Sequence, residues 1–327
     1  MCAVLITGAT GFLGSNLAKA LHAKGRDVYV TGRNRQKLAT LPVPAARRLA
    51  LELAQPIGVK STERLKSVRQ IVHCAALSSP WGRRSDFEVA NVTTTQNVLN
   101  LAADLGVDHL IFISSPSVYF RFADQIDVAE DHPLPPPVNA YAQTKTKAEA
   151  LVTAAPVAST ILRPRGLYGQ GDTTLLPRLL HAAKTGALPL FRGGQPQTDI
   201  THISDVVSAI ACILDAPGAA ANRIFNISGG DPQPITEIVE RACAYHNIAP
   251  VWKTVPLGPA LAFTRLAETI ARLRPNRPEP RATAYGLGIF AYTQTLDLTA
   301  ITRALPWQPQ LDLTAGLAHS FGQDTRP

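Results

Sequence analysis

The sequence predicts an α/β protein built on a doubly wound parallel sheet, with a smaller lobe formed by its C-terminal half. Three observations predict it. Through the first 165 residues, short apolar runs alternate with stretches whose apolar residues recur at helical spacing. The first run, Ala3-Val4-Leu5-Ile6, is followed at once by Thr7-Gly8-Ala9-Thr10-Gly11-Phe12-Leu13-Gly14, whose glycines are spaced for a strand-to-helix turn. At 327 residues and 46% hydrophobic, the chain is long enough for a large core and a second unit. The expected division is 1–165 for the sheet domain and 166–327 for the lobe, with 199–227 returning to the sheet.

Each glycine of the turn has its own task. Gly8 permits the tight turn, Gly11 leaves room for a pyrophosphate to approach backbone, and Gly14 lets helix pack closely on strand. Ser15, Asn16, Leu17, Ala18 and Leu21 continue as a helix whose unpaired N–H groups and dipole make an anion site. Gly8, Thr10, Gly11, Phe12, Leu13 and Gly14 are therefore candidate dinucleotide-binding residues, and the sheet is of the Rossmann type. Gly25 closes the helix, and residues 27–31 form the second strand. NAD-binding domains place an acidic residue near the end of that strand, against the ribose hydroxyls. Here the position is Gly32, followed by Arg33 and Arg35. Loss of a carboxylate with gain of guanidinium suits a 2'-phosphate, which a planar fork binds bidentately. NADP, with Arg33 as a contact, is the expected cofactor; a solvated basic loop is the alternative.

Residues 48–53 read as a third strand and 70–76 as a fourth, with His73 as a satisfied core histidine. A helix over 86–105, closed by Gly106, leads into a strand over 109–114. Ligands of such a sheet bind at the carboxyl ends of its strands, where Gly8, Gly32, Ala75 and Ser114 fall. Ser115-Pro116-Ser117-Val118-Tyr119 and a proline-rich loop follow. Asn139 then caps a helix carrying Tyr141, Lys145 and Glu149 on one face. A phenol with a pKa near 10 exchanges protons poorly at neutral pH, and an adjacent ammonium moves it towards the working range. A serine hydroxyl at the neighbouring strand end is placed to hold a substrate oxygen as charge develops on it.

The net charge of +8 raises the question of nucleic acid. Its arginines are scattered in pairs such as Arg47-Arg48 and Arg83-Arg84, without interleaved aromatics or a basic stripe, so a solvated surface is expected and no nucleic-acid partner. Cys2, Cys74, Cys212 and Cys243 have no metal-ligand spacing; they read as reduced core thiols, and no metal is expected. No apolar run approaches the roughly 20 residues of a membrane span. A cytoplasmic protein without a cleaved signal is the expectation.

With these residues in view, the chain resembles an extended short-chain dehydrogenase/reductase of the NAD-dependent epimerase/dehydratase superfamily, over almost its full length. The resemblance is carried by residues 7–14, His73-Cys74-Ala75-Ala76, Asn91-Val92, Ser114-Ser115 with Val118-Tyr119, Tyr141 with Lys145, Arg163-Pro164 with Tyr168-Gly169, and Asp199 with Asp205. It implies that Tyr141 is the catalytic acid/base, that Lys145 binds the nicotinamide ribose and lowers the tyrosine pKa, and that Ser115 holds the substrate oxygen. It implies further that Glu52, Leu53, Ala75, Ala76, Asn91, Ser114 and Pro164 line the cofactor site. A homodimer interface on the helices beginning near Asp86 and Asn139 is also implied.

Sugar-nucleotide members usually keep an acidic residue where Gly32 stands, and dehydratases carry an acidic pair where Pro116-Ser117 stand. Both departures count against that branch. The tail, with Glu279-Pro280, Tyr285-Gly286, Thr295-Leu296-Asp297-Leu298 and Leu305-Pro306-Trp307-Gln308-Pro309, is similar to the 3-beta-hydroxysteroid dehydrogenase and 2-alkyl-3-ketoalkanoate reductase group, as is the segment from Asp199 to Ile203. The resemblance therefore implies an NADP-dependent oxidoreductase interconverting a ketone and a secondary alcohol on a mainly apolar, steroid-like or alkyl ketone substrate. A sugar-nucleotide epimerase or dehydratase is the alternative. A non-catalytic cofactor sensor is disfavoured by the intact Ser115, Tyr141 and Lys145. Within 257–273, Arg265, Glu268 and Arg272 read as a solvated helical face and Leu261, Ala262, Leu266, Ile270 and Leu273 as the packed one, with a lid or a membrane contact as the sharper alternative.

Overall fold

The computed structural model describes residues 2–322. Strands β1 (Ala3–Thr7), β2 (Val28–Gly32), β3 (Arg48–Ala50), β4 (Val68–His73), β5 (His109–Ile113), β6 (Ser159–Pro164) and β7 (Arg223–Ile227) form one sheet in the order β7-β6-β5-β4-β1-β2-β3. Every pairing in it is parallel. Helices cover both faces, which explains why Ala3 to Ile6 of β1 are all apolar and do not alternate. Val4 and Ile6 enter one core with Leu17 and Leu21 of α1 (Phe12–Ala23), and with residues of a helix over Ile203–Asp215. Ala3 and Leu5 enter the other, with Val98, Leu101 and Leu105 of α2 (Thr94–Leu105) and Ala148 and Val152 of α3 (Ala140–Ala154). The strand order turns back at β1, between β2 and β4, so a ligand crevice lies at their carboxyl ends.

Four elements differ from the sequence expectation. β3 ends at Ala50, short of residue 53, because Glu52 starts a turn: its carboxylate accepts from Ala54 N at 3.2 Å and its carbonyl from Gln55 N at 3.0 Å. β4 ends at His73. The helix expected over 86–105 is a short turn, Arg84–Phe87, then a π-helical turn, Glu88–Thr93, and then α2; Gly106 closes it with φ 59. The loop after Ser115 carries a strand, Gln125–Val128, whose ladder partner Gln294–Leu296 comes from the tail. Together with Gln197–Thr198 and Gln233–Pro234 these make a four-stranded sheet in the C-terminal lobe.

All four cysteines are free; Cys243 is buried, Cys74 and Cys212 are half-buried and packed against the core, and Cys2, which precedes β1, is exposed, so the core-thiol reading fails at Cys2. No helix among the described residues is long and apolar enough to cross a membrane.

Candidate active site

The glycine turn leaves no room for side chains. At Gly8 (φ +64) a Cβ would stand 2.7 Å from Ala75 Cα, and at Gly14 one would stand 2.8 Å from Ala9 Cα. Gly11 is exposed and precedes α1, whose first turn has no acidic residue and no side-chain cap, so its N–H groups stay available to an anion. Phe12 is half-buried and Leu13 lies in the core, which leaves their backbone facing the turn. Thr10 packs against Gly32, where a Cβ would come within 2.9 Å of its Cγ2 and Oγ1. Beyond Gly32, Arg33 and Arg35 are exposed.

Behind the turn a buried polar chain ties the strands to the π turn. His73 Nδ1 shares a hydrogen bond with Thr7 Oγ1 at 2.7 Å and Nε2 one with Thr95 Oγ1 at 3.2 Å. Burial, with the Lys145 charge in second place, holds this histidine down to about 3, so it stays neutral as a structural link. Thr95 Oγ1 donates to Asn91 O at 2.6 Å. The Asn91 amide donates to Leu77 O and Thr144 Oγ1 at 3.2 and 3.0 Å and accepts from Leu77 N at 2.7 Å. The π turn thus points a buried asparagine at the loop after β4, the loop carrying Ala75 (half-buried) and Ala76 (exposed).

The side chains expected to be catalytic come from α3 and from the end of β5. Asn139 caps α3 by accepting from Ala142 N at 2.8 Å. Tyr141 is half-buried beside Phe87, with ring centroids 6.4 Å apart. Burial pushes its phenol above the ordinary 10.0, while the facing Ser78 and Ser115 side chains pull it the other way. Ser115 Oγ accepts from Ser117 N at 3.2 Å, which fixes the hydroxyl at the carboxyl end of β5. Lys145 is 3% exposed, donates to Ile113 O at 2.6 Å, and is lowered to about 8, chiefly by desolvation and against the pull of Glu149. The Lys145 ammonium is directed at the Ile113 carbonyl, and the side chains that act on the phenol are those of Ser78 and Ser115.

Glu149, one turn further on, anchors the scaffold. It accepts from Ser114 Oγ and takes Arg163 Nε and Nη2 at 2.9 and 2.6 Å. Arg163 also reaches the Tyr119 hydroxyl, which donates to Asn226 Oδ1 at 3.0 Å. The Ser114 side chain is thus committed to the scaffold. Pro164 closes β6, buried. Next to it, Arg165 is 7% exposed and donates to Thr198 Oγ1 from Nε and Nη2 at 3.2 and 2.7 Å, and from Nη1 to Gln294 Oε1. Among the described residues it forms no ion pair, but the buried Asp199 carboxylate lies within electrostatic reach of it. Tyr285, on the helix Ala284–Ala291, is pushed up to about 12 by burial, with Arg165 pulling down and Tyr141 pushing up, so it stands within electrostatic reach of both. Its ring lies 5.0 Å from Phe120, which stacks edge-on with Phe122 at 5.4 Å; Phe122 in turn meets Tyr292 at 6.3 Å.

A neutral histidine link, an open helix start, and a serine, tyrosine and lysine at adjacent strand ends are the parts of a nicotinamide dinucleotide oxidoreductase. A sequence profile of the NAD dependent epimerase/dehydratase family matches residues 4–228. The chain belongs to this family. It is an NAD(P)-dependent oxidoreductase of the extended short-chain dehydrogenase/reductase type. The chain is 31% identical, over 96% of its length and 97% of the relative's, to 2-alkyl-3-oxoalkanoate reductase of Stenotrophomonas maltophilia (strain K279a). It is 32% identical, over 96% and 95%, to the uncharacterized protein YbjS of Escherichia coli (strain K12). Among solved structures, MoeE5 in complex with UDP-glucuronic acid and NAD superposes with a TM-score of 0.74 at 25% identity, covering 98% of each chain.

The residues present fit the dinucleotide such a family binds: a cradle that no Cβ could share at Gly8 and Gly14, an uncapped helix start, and buried Asn91 and Lys145 beside it. Leu53 is buried, and its carbonyl is held by Asn97 at 2.9 Å; Glu52 is exposed with its carboxylate on its own turn. Sequence reasoning singled out Tyr285 only as part of the tail and missed Ser78 and Arg165. Ser78 follows the fourth apolar run as part of a serine pair, which is a usable signal; Arg165 and Tyr285 meet only through the tail's return to the lobe.

Proposed function

We propose that the protein is an NADP-dependent oxidoreductase interconverting a ketone and a secondary alcohol on a mainly apolar substrate that carries a carboxylate. The observation that carries this reading is Ser115 facing Tyr141, with an aromatic wall of Phe120, Phe122, Tyr285 and Tyr292 whose Tyr285 is within electrostatic reach of both Tyr141 and the buried Arg165. Ser115 and Tyr141 hold the substrate oxygen between them. Tyr141 gives it a proton in reduction and takes one in oxidation, and Ser78 and Ser115 support the phenolate so formed. The bound cofactor supplies or accepts the hydride at the carbon. Lys145, fixed by Ile113 O, holds the ribose and keeps a positive charge near the exchange.

Three observations favour this reading over conversion of a sugar nucleotide. A diphosphate needs its own basic cradle, yet Arg272, Arg274, Arg277 and Arg281 are all exposed. Arg165 is a buried cation with no ion-paired carboxylate within 4 Å; buried Asp199 balances its charge only from a greater distance, which leaves the guanidinium able to pair with a ligand carboxylate. A 2-alkyl-3-oxoalkanoate, the substrate in the name of one relative, offers both a ketone and a carboxylate. The NADP preference rests on Gly32 with Arg33 and Arg35. The test is a panel in which NADPH and NADH oxidation are followed with 2-alkyl-3-oxoalkanoates, neutral apolar ketones and UDP-sugars. We expect NADPH oxidation with the oxo acids and at least tenfold less with NADH; turnover of a UDP-sugar alone would transfer the assignment to the epimerases.

A further inference from the structure

The helix over Leu257–Leu273 faces the protein with the wrong side for an ordinary amphipathic helix. Leu261, Thr264 and Ala271 are buried, and Glu268 is turned inward, where its Oε1 accepts from Ala284 N at 2.8 Å. The expectation that Leu266, Ile270 and Leu273 form the packed face is therefore corrected: they are 58, 45 and 82% exposed, and Phe263 is 74% exposed. The inward hydrogen bond of Glu268 fixes this rotation. At 100° per residue the four exposed side chains fall within an arc of about 80°, roughly opposite the packed residues. Single exposed apolar residues are ordinary; a continuous stripe of four marks a contact surface.

The charge around the stripe indicates what the contact is. Arg274, Arg277 and Arg281 follow the stripe in the loop, all exposed, while Arg265 and Arg272 lie together on one side of the helix and stack over the Phe122 and Trp81 rings. The two acids of the segment are engaged: Glu268 as above, with Arg272 at 3.8 Å, and Glu279 with Arg178 at 3.5 Å. A second copy of the chain would bring the same three loop arginines against these. An anionic bilayer satisfies both features, since a stripe of this kind sits among the acyl chains while guanidinium groups lie at the phosphates.

The stripe is also connected to the site. Arg265 stacks over the Phe122 ring at 5.0 Å, and Glu268 holds the start of the helix that carries Tyr285. The aromatic wall therefore lies directly behind the outward-facing helix. We propose that the helix Leu257–Leu273 and its arginine loop are a docking surface that seats the protein on an anionic bilayer, from which an apolar substrate reaches the aromatic wall. The delivery role rests on the substrate reading above; the docking does not.

The test uses the full chain, sedimented with vesicles of phosphatidylcholine alone and of phosphatidylcholine with phosphatidylglycerol. Binding should be at least tenfold tighter to the anionic vesicles and weaken as salt rises. Phe263→Ser with Leu273→Ser should weaken it by at least tenfold. Arg274→Gln with Arg277→Gln should weaken it about 30-fold, at about 1 kcal/mol for each arginine, with turnover of a short water-soluble ketone unchanged in both variants. Binding that persists while no apolar ketone is turned over would uphold docking and remove only the substrate reading. Equal binding to both vesicle types, or anionic binding unaffected by Phe263→Ser with Leu273→Ser, would overturn the proposal. So would a dimer dissolved by those substitutions in a protein that ignores vesicles.

Discussion

Replacing Arg165 by methionine tests the substrate reading at its most specific point. The side chain is 7% exposed and makes three hydrogen bonds, to Thr198 and Gln294, so its loss leaves buried acceptors short of donors, at about 1 to 3 kcal/mol each. That cost falls on the fold and is common to every substrate. A carboxylate paired with the guanidinium would lose a further 1.5 to 3 kcal/mol or so, as expected for charge-assisted hydrogen bonds, or roughly 10- to 150-fold in kcat/KM. The assay is therefore a ratio: kcat/KM for a 2-alkyl-3-oxo acid over kcat/KM for its methyl ester, in wild type and in Arg165→Met. The account predicts that this ratio falls at least tenfold while NADPH binding and a cooperative unfolding transition, at a lower temperature, show that the protein still folds. A ratio changed by less than twofold would show that Arg165 serves only the Gln294 strand.

Three further outcomes follow from the site. Tyr141→Phe should keep the ring against Phe87 and lower turnover by roughly 10² to 10⁴, with NADPH affinity nearly unchanged; near-normal turnover would remove Tyr141 from the mechanism. Burial holds Lys145 at about 8, below its usual 10.5, so NADPH affinity measured by fluorescence titration should fall as pH rises through about 8. Stability should move the other way, because between about 8 and 10.5 the unfolded chain binds the extra proton; denaturant melts of Lys145→Met should lack this rise. Gly32→Asp places a Cβ within 2.9 Å of Thr10, so alone it should destabilise, whereas Gly32→Asp with Thr10→Ala and Arg33→Ser should fold and prefer NAD; an unchanged cofactor ratio in titration would refute the role given to Gly32 and Arg33.

What the sequence made legible was local. The turn from Thr7 to Gly14 could be read because its constraints are backbone constraints between neighbours, and the Tyr141, Lys145 and Glu149 face because α3 places residues four apart side by side. Asn91 was legible as a residue but not as a position, since nothing in Glu88–Thr93 announces a π turn. The strand Gln125–Val128 was hidden because its partner lies in the tail, and Arg165 with Tyr285 because only that tail brings them together. The rotation of the helix Leu257–Leu273 was misread for a different reason: periodicity identifies an apolar face, but burial was assumed for it. One hydrogen bond from Ala284 to Glu268 turns the other face inward.

The central claim is net hydride transfer to a carbonyl carbon next to Ser115 and Tyr141. It is tested most directly by incubating the protein with NADPH deuterated at nicotinamide C4 and a 2-alkyl-3-oxoalkanoate, and locating the deuterium by mass spectrometry and NMR. The account predicts one deuterium at C3 of the hydroxy acid for each NADPH consumed, and none in the product of Tyr141→Phe beyond its residual turnover. Conversion of a UDP-sugar to its epimer with no net consumption of cofactor, and no deuterium in any hydroxy acid, would contradict it.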